Sequence, residues 1–529
     1  MKAEKLFKNG KIYTMEKEGD VYAALATYGD KILKMWKEGE EITEEAEEVI
    51  DLQGKTVLPG FIDCHMHLLS YTQSLQSVNL RGCKSWEECK EKLIERAKVT
   101  PEGEWVRGAA FNHEDWVVPE LPDRHDLDEI STVHPIMIGR YCMHVSVVNS
   151  MALQLAGIDR NFVPEAENSV EYDENGEPSG ILWEDAISPV LNIIPDKLAT
   201  FEAKKDAIAE VIKDMNTYGL TGGHPIQGKF CDAKEYLDIY QDLEKEGRLP
   251  IRLYVSFDEY PVFGMKSGFG NEKLKYGFYK IYSDGSLGSR AAALFEPYSD
   301  APDACGVCNY SQEEMNAMCQ KAYDMDLQIA IHAIGDKGLD IALKALENCY
   351  FKNPKPDCRF RLIHVMCTNE DLIARMKKLP VILDIQPKFV SSNVKWSEER
   401  LGPERAEYSY PWRRLIDEGF TLTGSSDSPV EPYNPFLGIY AVTTRQDLEG
   451  YPEGGYYPQQ RVTTYEAIEM YTKNAAISTF EEDLKGTIKE GKLADFIVLD
   501  KDPFETEAKK LKDILVEQTW LGGDQVFKR

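Results

Sequence analysis

The segment VLPGFIDCHMH, residues 57–67, is an apolar run that ends in two histidines separated by one residue. Because alternate residues of a β-strand share one face, His65 and His67 would present both imidazoles on the same side. Two neutral imidazoles on one face can bind a divalent metal, although such a pair alone also occurs among ordinary core histidines. Asp63 lies on that face, where it would either orient a ligand or act as a turn residue at the strand end.

Seven further apolar, strand-like runs follow this segment along the chain. They are LTGGHPI (220–226), IRLYVSF (251–257), FYKIYSDG (278–285), LQIAIHAI (327–334), FRLIHVM (360–366), VILDIQP (381–387) and FTLTGSSD (420–427). Most of them precede stretches with helical periodicity, such as Ala233–Glu246, Asp336–Tyr350 and Asn369–Lys378. Eight strand–helix units are what a TIM barrel requires. The pattern therefore predicts an α/β chain with a (β/α)8 barrel over residues 58–480.

Both ends of the chain differ from the middle. Residues 1–57 and 481–529 alternate short β-rich runs with turn residues, which is typical of a sandwich. Neither end is long enough to form a good sandwich alone, so we expect the two to pair into one small β-domain. Residues 79–200 lie between the first two barrel strands, and loops at this end of a barrel cover its active site. We interpret this insertion as a lid or substrate-recognition subdomain.

Four more polar residues lie at or near the ends of predicted strands: Lys280, His332, His364 and Asp427. Each has an ordinary explanation, since a histidine can be a core residue and an aspartate can cap a helix. Taken with the two histidines of the first strand, however, they form a set at the carboxyl ends of strands one, four, five, six and eight, which is the catalytic face of a barrel. The predicted ligands of a metal centre are His65, His67, Lys280, His332, His364 and Asp427.

The same segments resemble the amidohydrolase superfamily, and within it the YtcJ-like branch that includes N-substituted formamide deformylase. The family has H-x-H on strand one, Lys on strand four, His on strands five and six, and Asp on strand eight. The matching segments span nearly the whole chain. They are PGFIDCHMH (59–67), KIYSDGSLGSRAAAL (280–294), IAIHAIGDKGLDIAL (329–343), RLIHV (361–365), GSSDSPVEPYNPF (424–436) and KGTIKEGKLADFIVLDKDP (485–503).

The resemblance implies a divalent metal cofactor, with zinc expected and one or two ions bound. In the family the strand-four lysine can be carboxylated and bridge two metals, and Lys280 matches that position. A carbamate is an anionic oxygen ligand, whereas an ammonium group cannot bind a cation. In the alternative, Lys280 stays cationic and binds substrate or pairs with Asp284, and one metal is held by His65, His67 and Asp427.

The implied activity is hydrolysis of a carbon–nitrogen bond in a non-peptide amide, an N-acyl or N-formyl amine, or a cyclic amide, with an ester also open. The metal would acidify a water molecule, and Asp427 is the predicted general base. The segment RYCMHVSVVNSMAL (140–153) resembles a family segment whose histidine reaches the substrate, which implies that role for His144; the alternative is a helix-start residue. Arg290 could bind a substrate carboxylate, and Trp183 could line the pocket or simply pack.

Two other functions compete with this interpretation. The first is deamination on the same barrel, but the related deaminases carry His-Ala-x-Glu on strand five, whereas this chain has Gly335 at the position of the glutamate and Asp336 one step later. The second is a non-catalytic barrel that only binds a ligand, which fits poorly with retention of all six ligands.

The amino-acid composition limits the kinds of binding partner and the cellular location that we expect. The chain has 61 basic and 90 acidic residues, a net charge of −29, which repels nucleic acid and anionic membranes. The start has no apolar signal region, no run approaches 18 apolar residues, and the 11 cysteines form no regular framework. The lone C-x-x-C at Cys305 and Cys308 has no partners for a zinc or redox role. We expect a cytoplasmic enzyme that acts on a small molecule, with a homodimer favoured by the resemblance.

Overall fold

The computed structural model describes residues 2–140, 144–164, 169–227, 233–261 and 264–529. The chain forms two compact units. One comprises Met1–Leu69 with Lys205–Arg529, and the other comprises Ser70–Lys204. The second unit contains the insertion expected over residues 79–200 and is somewhat longer at its N-terminal side.

Eight parallel strands lie side by side in sequence order, and we number them barrel strands 1 to 8. They are Phe61–Met66, Leu220–Gln227, Arg252–Phe257, Leu274–Tyr282, Ile329–Ala333, Phe360–His364, Val381–Ile385 and Thr421–Gly424. The first and last strands meet just beyond their ends, where the Asp427 N–H donates to the His65 carbonyl at 2.8 Å and the His67 N–H donates to the Ser428 carbonyl at 2.8 Å. The predicted eight-stranded, barrel-like sheet is thus confirmed.

The barrel strands are buried on both faces. Every residue of Phe61–Met66, Arg252–Phe257, Phe360–His364 and Val381–Ile385 is buried. A strand covered on both sides has a nearly continuous apolar run rather than an alternating one, which is why these segments were recognisable in the sequence. The polar exceptions within them therefore need partners, since a buried charge without one is costly.

Helices follow the barrel strands. The α-helices that lie wholly or partly in the unit Met1–Leu69 with Lys205–Arg529 are Leu68–Ser74, Phe201–Thr217, Ala233–Lys245, Gln312–Asp324, Asp336–Tyr350, Glu370–Met376, Pro387–Asn393, Ser397–Leu401, Pro403–Ala406, Trp412–Asp417, Pro435–Thr444, Thr464–Tyr471 and Lys473–Ser478. The helix expected at Asp336–Tyr350 has those bounds. The helix expected from Asn369 begins one residue later, because the Asn369 side chain caps it by accepting from the Leu372 N–H at 3.0 Å.

Strands from both chain ends form two sheets. The four-stranded sheet has the order Lys31–Trp36, Ala24–Tyr28, Ala3–Lys8, Ala46–Asp51, and the six-stranded sheet has the order Asp524–Lys528, Val516–Leu521, Phe496–Leu499, Thr56–Pro59, Lys11–Tyr13, Val21–Tyr22. Phe496–Leu499 pairs antiparallel with Thr56–Pro59, so hydrogen bonds join the two ends of the chain. Both sheets contribute to one core, in which the rings of Phe7 and Trp520 lie 4.8 Å apart.

The unit Ser70–Lys204 has its own mixed sheet of six strands. Their order is Val170–Tyr172, Pro178–Trp183, Val145–Val148, Ile136–Arg140, Val106–Phe111, Val78–Asn79, and the α-helices are Trp86–Val99, Arg124–Asp128, Ser150–Ala156 and Ser188–Leu191. Two apolar clusters, one that includes Phe111 and one that includes Val148, form its core. A role as a lid stays a prediction. Across the described ranges of both units, each helix is too short or too polar to span a bilayer.

Candidate metal centre

His65, His67 and Asp427 lie together at the carboxyl ends of barrel strands 1 and 8. The Asp427 Oδ1 atom is 3.3 Å from His65 Nε2 and 3.2 Å from His67 Nε2. One ligand atom from each residue lies within 4.8 Å of the other two, which is close enough for all three to hold one metal ion. The backbone bond from Asp427 to His65 sets this spacing.

The backbone at this edge of the barrel is unusual. Asp427 and His364 adopt left-handed conformations, with φ of 56° and 77°. Residues other than glycine rarely adopt such angles, and those that do cluster at functional sites. For Asp427 the turn directs its carboxylate to His65 in barrel strand 1 and to His67 just beyond it.

Asp63 ties barrel strand 1 to barrel strand 8. Its Oδ1 atom accepts the His65 N–H at 3.2 Å and the Ser426 N–H at 3.1 Å. Burial raises the pKa of the Asp63 carboxyl to about 7, and the hydrogen bonds it accepts oppose this rise. Asp63 therefore orients the main chain that carries a candidate ligand.

Lys280 is buried in barrel strand 4. Among the described residues its Nζ atom has no hydrogen-bond partner, and it lies 4.9 Å from the centre of the Tyr282 ring. Burial lowers the pKa of the Lys280 ammonium to about 7, although the carboxylates of Asp427 and Asp384 act in the opposite direction. A neutral amine is the form that reacts with carbon dioxide, so this environment suits carbamate formation.

His332 and His364 extend the cluster from barrel strands 5 and 6. Ring centroids are 4.4 Å apart between His332 and His364, and 5.5 Å apart between His364 and His65. Burial and then the charge of Lys280 hold the pKa of His65 well below its usual value; burial and then His332 do the same for His364. Both imidazoles are therefore neutral, which leaves each with the lone pair that a metal requires.

The Asp427 carboxylate stays ionised in this environment. Burial alone would raise its pKa, but hydrogen bonds with His65 and His67 more than offset that effect and hold the pKa well below the usual range. The centre thus combines imidazoles, an anionic carboxylate and a buried amine. This donor set fits a divalent cation.

Asp284 does not pair with Lys280 in the described part of the chain. Its carboxylate accepts the N–H groups of Ala293 (2.9 Å), Ile334 (3.0 Å) and Gly335 (2.8 Å). Its Oδ1 atom also lies 3.4 Å from His332 Nε2. Asp284 therefore stabilises the main chain just beyond barrel strand 5 and lies beside the candidate ligand His332.

Gly335 occupies the position at which related deaminases carry a glutamate. A Cβ atom at this position would lie 2.0 Å from the carbonyl oxygen of Ala293, a contact that no side chain can make. Asp336 cannot replace the missing group easily, because its Oδ1 atom accepts the N–H groups of Phe295 and Lys337. The local geometry disfavours a deaminase-type proton shuttle.

We expect Gly335→Ala to destabilise the protein by about 1–3 kcal/mol, because the new methyl group would push against a main-chain oxygen. The matched control is Gly288→Ala, where the nearest atom to the added Cβ is 3.6 Å away. Thermal unfolding of both variants tests this. Equal midpoints for the two would contradict it.

Sequence reasoning missed a buried polar layer next to the candidate ligands, formed by His224, Arg361, Asp384 and Thr423. Arg361 Nε donates to Asp384 Oδ2 at 2.6 Å, and Thr423 donates to Asp384 Oδ1 at 2.6 Å. Another Arg361 nitrogen donates to the Cys64 carbonyl at 2.8 Å, adjacent to His65, and lies 3.2 Å from His224 Nδ1. The available signal was one charged residue inside each of two otherwise apolar strand segments, Arg361 in Phe360–His364 and Asp384 in Val381–Ile385.

The three residues predicted to contact substrate differ in exposure and in partners. The His144 side chain is exposed, with Nδ1 3.0 Å from Glu184 Oε2, and Tyr141–Met143 of its segment fall outside the described residues. Trp183 is 37% exposed. Arg290 already has a partner, since it donates to both carboxylate oxygens of Asp300 at 3.1 and 2.6 Å. Substrate roles for these three residues stay predictions, and Cys305 and Cys308 are free thiols.

Comparisons with known proteins identify the family of this chain. The model of the Amidohydrolase family matches residues 48–527. The protein YtcJ of Bacillus subtilis (strain 168) is 33% identical over 99% of this chain and 99% of its own length. N-substituted formamide deformylase of Arthrobacter pascens is 27% identical over 98% of each chain.

A solved structure supports the same relationship. The crystal structure of an uncharacterized metal-dependent hydrolase from Pyrococcus furiosus has a TM-score of 0.72 and 29% identity, covering 95% of this chain and 100% of that one. The chain therefore belongs to the amidohydrolase family, in the branch that contains YtcJ and N-substituted formamide deformylase.

Proposed function

We propose that this protein is a zinc-dependent hydrolase that cleaves a carbon–nitrogen bond outside peptides, in a non-peptide amide, an N-acyl or N-formyl amine, or a cyclic amide. The observation that carries the proposal is the Asp427 carboxylate, which lies within 3.3 Å of an imidazole nitrogen of both His65 and His67. The similarity to N-substituted formamide deformylase supports the substrate class. Zinc suits a mixed histidine and carboxylate donor set.

His65, His67 and Asp427 would hold the metal, with His332, His364 and a carboxylated Lys280 able to hold a second ion. When bound, the metal acidifies water and polarises the scissile carbonyl group. Asp427, kept ionised by its two histidine neighbours, would accept a proton from the attacking water and pass it to the leaving nitrogen. Asp63 would keep the histidine-bearing main chain in place during this transfer.

Substrate screening tests the proposal. The purified protein, supplied separately with zinc, manganese and iron, is assayed against formamides, N-acyl amines, cyclic ureas, esters and dipeptides. We expect turnover of at least one non-peptide amide class and stoichiometric bound metal. Ammonia release from heterocyclic amines alone would favour the deaminase, turnover of dipeptides alone would contradict the non-peptide substrate class, and absence of stoichiometric metal would favour a non-catalytic barrel.

Carboxylation of Lys280 has a separate test. We expect Lys280→Ala to lower the metal content after dialysis from two ions per chain to one, because the amine that would carry the bridging carbamate is gone. Lys378→Ala, at an exposed position, is the matched control and should keep two. Protein prepared with 13C-labelled bicarbonate should give a carbamate carbon signal that the Lys280 variant lacks. Two ions retained in that variant, or no carbamate signal in the parent protein, would contradict the assignment.

A further inference from the structure

Gln386 lies directly beyond barrel strand 7, beside a candidate metal ligand. Its Oε1 atom is 2.5 Å from His364 Nδ1, and the side chains of both residues are buried. Neither the family resemblance nor the sequence pattern singled out this residue. A histidine binds a metal through only one ring nitrogen, and the hydrogen bond at the other nitrogen decides which one is available.

The direction of each hydrogen bond around Gln386 follows from its neighbours. The Ser425 hydroxyl donates to the Ile385 carbonyl at 2.8 Å, and a carbonyl can only accept. With its one proton used there, Ser425 Oγ must accept at its other contact, which is Gln386 Nε2 at 3.0 Å. Gln386 Nε2 also lies 3.4 Å from the Asp384 carbonyl, again an obligatory acceptor. The amide nitrogen of Gln386 therefore faces Ser425, and its oxygen faces His364.

An amide oxygen has no proton to give, so the short contact requires a proton on His364 Nδ1. In a neutral imidazole that assignment leaves Nε2 with the lone pair. One face of the His364 ring is packed as well, since the Phe389 ring stacks nearly parallel to it with centroids 6.0 Å apart. One end of the ring is thus fixed by hydrogen bonding and one face by packing.

We propose that Gln386 is a positioning residue: through the relay Ile385 carbonyl, Ser425 hydroxyl and Gln386 amide, it holds His364 in the Nδ1–H tautomer and presents Nε2 for metal binding. This inference rests on the proposed metal-dependent function in one respect: it takes a metal ion to be the group that His364 Nε2 binds. The tautomer itself is a property of the chain without metal.

Nitrogen NMR of the metal-free protein with 15N-labelled histidine tests the tautomer, with the His364 signal identified by its loss in His364→Gln. We expect a protonated Nδ1 and an unprotonated Nε2. The reverse assignment would overturn the inference, whether or not the protein proves to be a hydrolase. If the tautomer is as expected but the protein holds no metal, the proposed function fails and the Gln386 relay stands.

Two substitutions at this position separate positioning from a merely structural role. Gln386→Glu keeps an acceptor oxygen for His364, and its metal affinity, measured by chelator competition, should stay within about threefold of the parent value. Gln386→Met keeps the side-chain length without an acceptor and should bind metal about 10–100-fold more weakly. Equal metal affinities in the two variants would overturn the role of Gln386, even if both lose thermal stability.

Discussion

Asp427→Asn should lower kcat/KM by about 10³-fold or more while leaving the fold intact. The substitution removes a negative charge shared by His65 and His67, and it removes the proposed proton acceptor. Loss of a general base alone costs about 10²–10⁴-fold. Weaker metal binding should add to that loss, because an amide oxygen is a poorer ligand than a carboxylate.

Asparagine is the right replacement at this position because Asp427 has a left-handed backbone, with φ of 56°. Asparagine tolerates that conformation better than alanine does. The variant should therefore keep the turn that follows barrel strand 8 and is hydrogen-bonded to barrel strand 1. The hydrogen bonds from the Asp427 N–H to His65 and from the Val430 N–H to Asp427 are main-chain bonds and survive the change.

Steady-state assays on a substrate found by screening, together with metal analysis and circular dichroism, check this result. Asp417→Asn makes the same chemical change at an exposed helical position and should stay within twofold of the parent rate. A folded Asp427→Asn variant with a near-normal rate would refute the assignment of Asp427.

The largest effect on stability is expected from Asp384→Ala, at about 3–5 kcal/mol. The substitution leaves the Arg361 guanidinium buried without its carboxylate, and both side chains are fully inaccessible to solvent. It also leaves the Thr423 hydroxyl without its acceptor. Removing one member of a buried ion pair costs far more than the pair contributes, because the remaining charge has no solvation.

The double variant Arg361→Met/Asp384→Leu is the control for this explanation. It removes both charges and replaces them with side chains of similar size, so it should recover most of the stability lost in Asp384→Ala. Urea unfolding followed by tryptophan fluorescence compares the three proteins. If the double variant is as unstable as Asp384→Ala, the loss of stability comes from the change in side-chain volume or from the lost hydrogen bond between Arg361 and the Cys64 carbonyl, and not from an unpaired charge.

Local sequence was informative where a property depends on a few neighbouring residues. The barrel strands are largely buried on both faces, so they appeared as nearly continuous apolar runs, and all eight were located. Candidate ligands were visible because Lys280, His332 and His364 interrupt or end such runs. The helix Asp336–Tyr350 was recognised in full, since its apolar periodicity is strong.

Pairing between distant residues was not readable in the same way. Arg361 and Asp384 stand in separate apolar strands, and the sequence contains nothing that assigns one to the other. They meet because barrel strands 6 and 7 are neighbours with Ile363 opposite Asp384. Gln386 was overlooked for a related reason, since its importance comes from His364 at the end of barrel strand 6 and from Ser425 just beyond barrel strand 8.

From its sequence alone, this protein's α/β class, its eight-stranded parallel sheet and its family were determined, because burial and strand ends leave a local pattern of residue types. Only the tertiary structure decided which groups outside the predicted ligand set share a hydrogen bond or a charge: Asp384 with Arg361, and Gln386 with His364. Such contacts depend on strand register and ring orientation to within about an ångström. The physical reason is that a hydrogen bond weakens steeply when its distance or angle changes on that scale, whereas hydrophobic burial is non-directional.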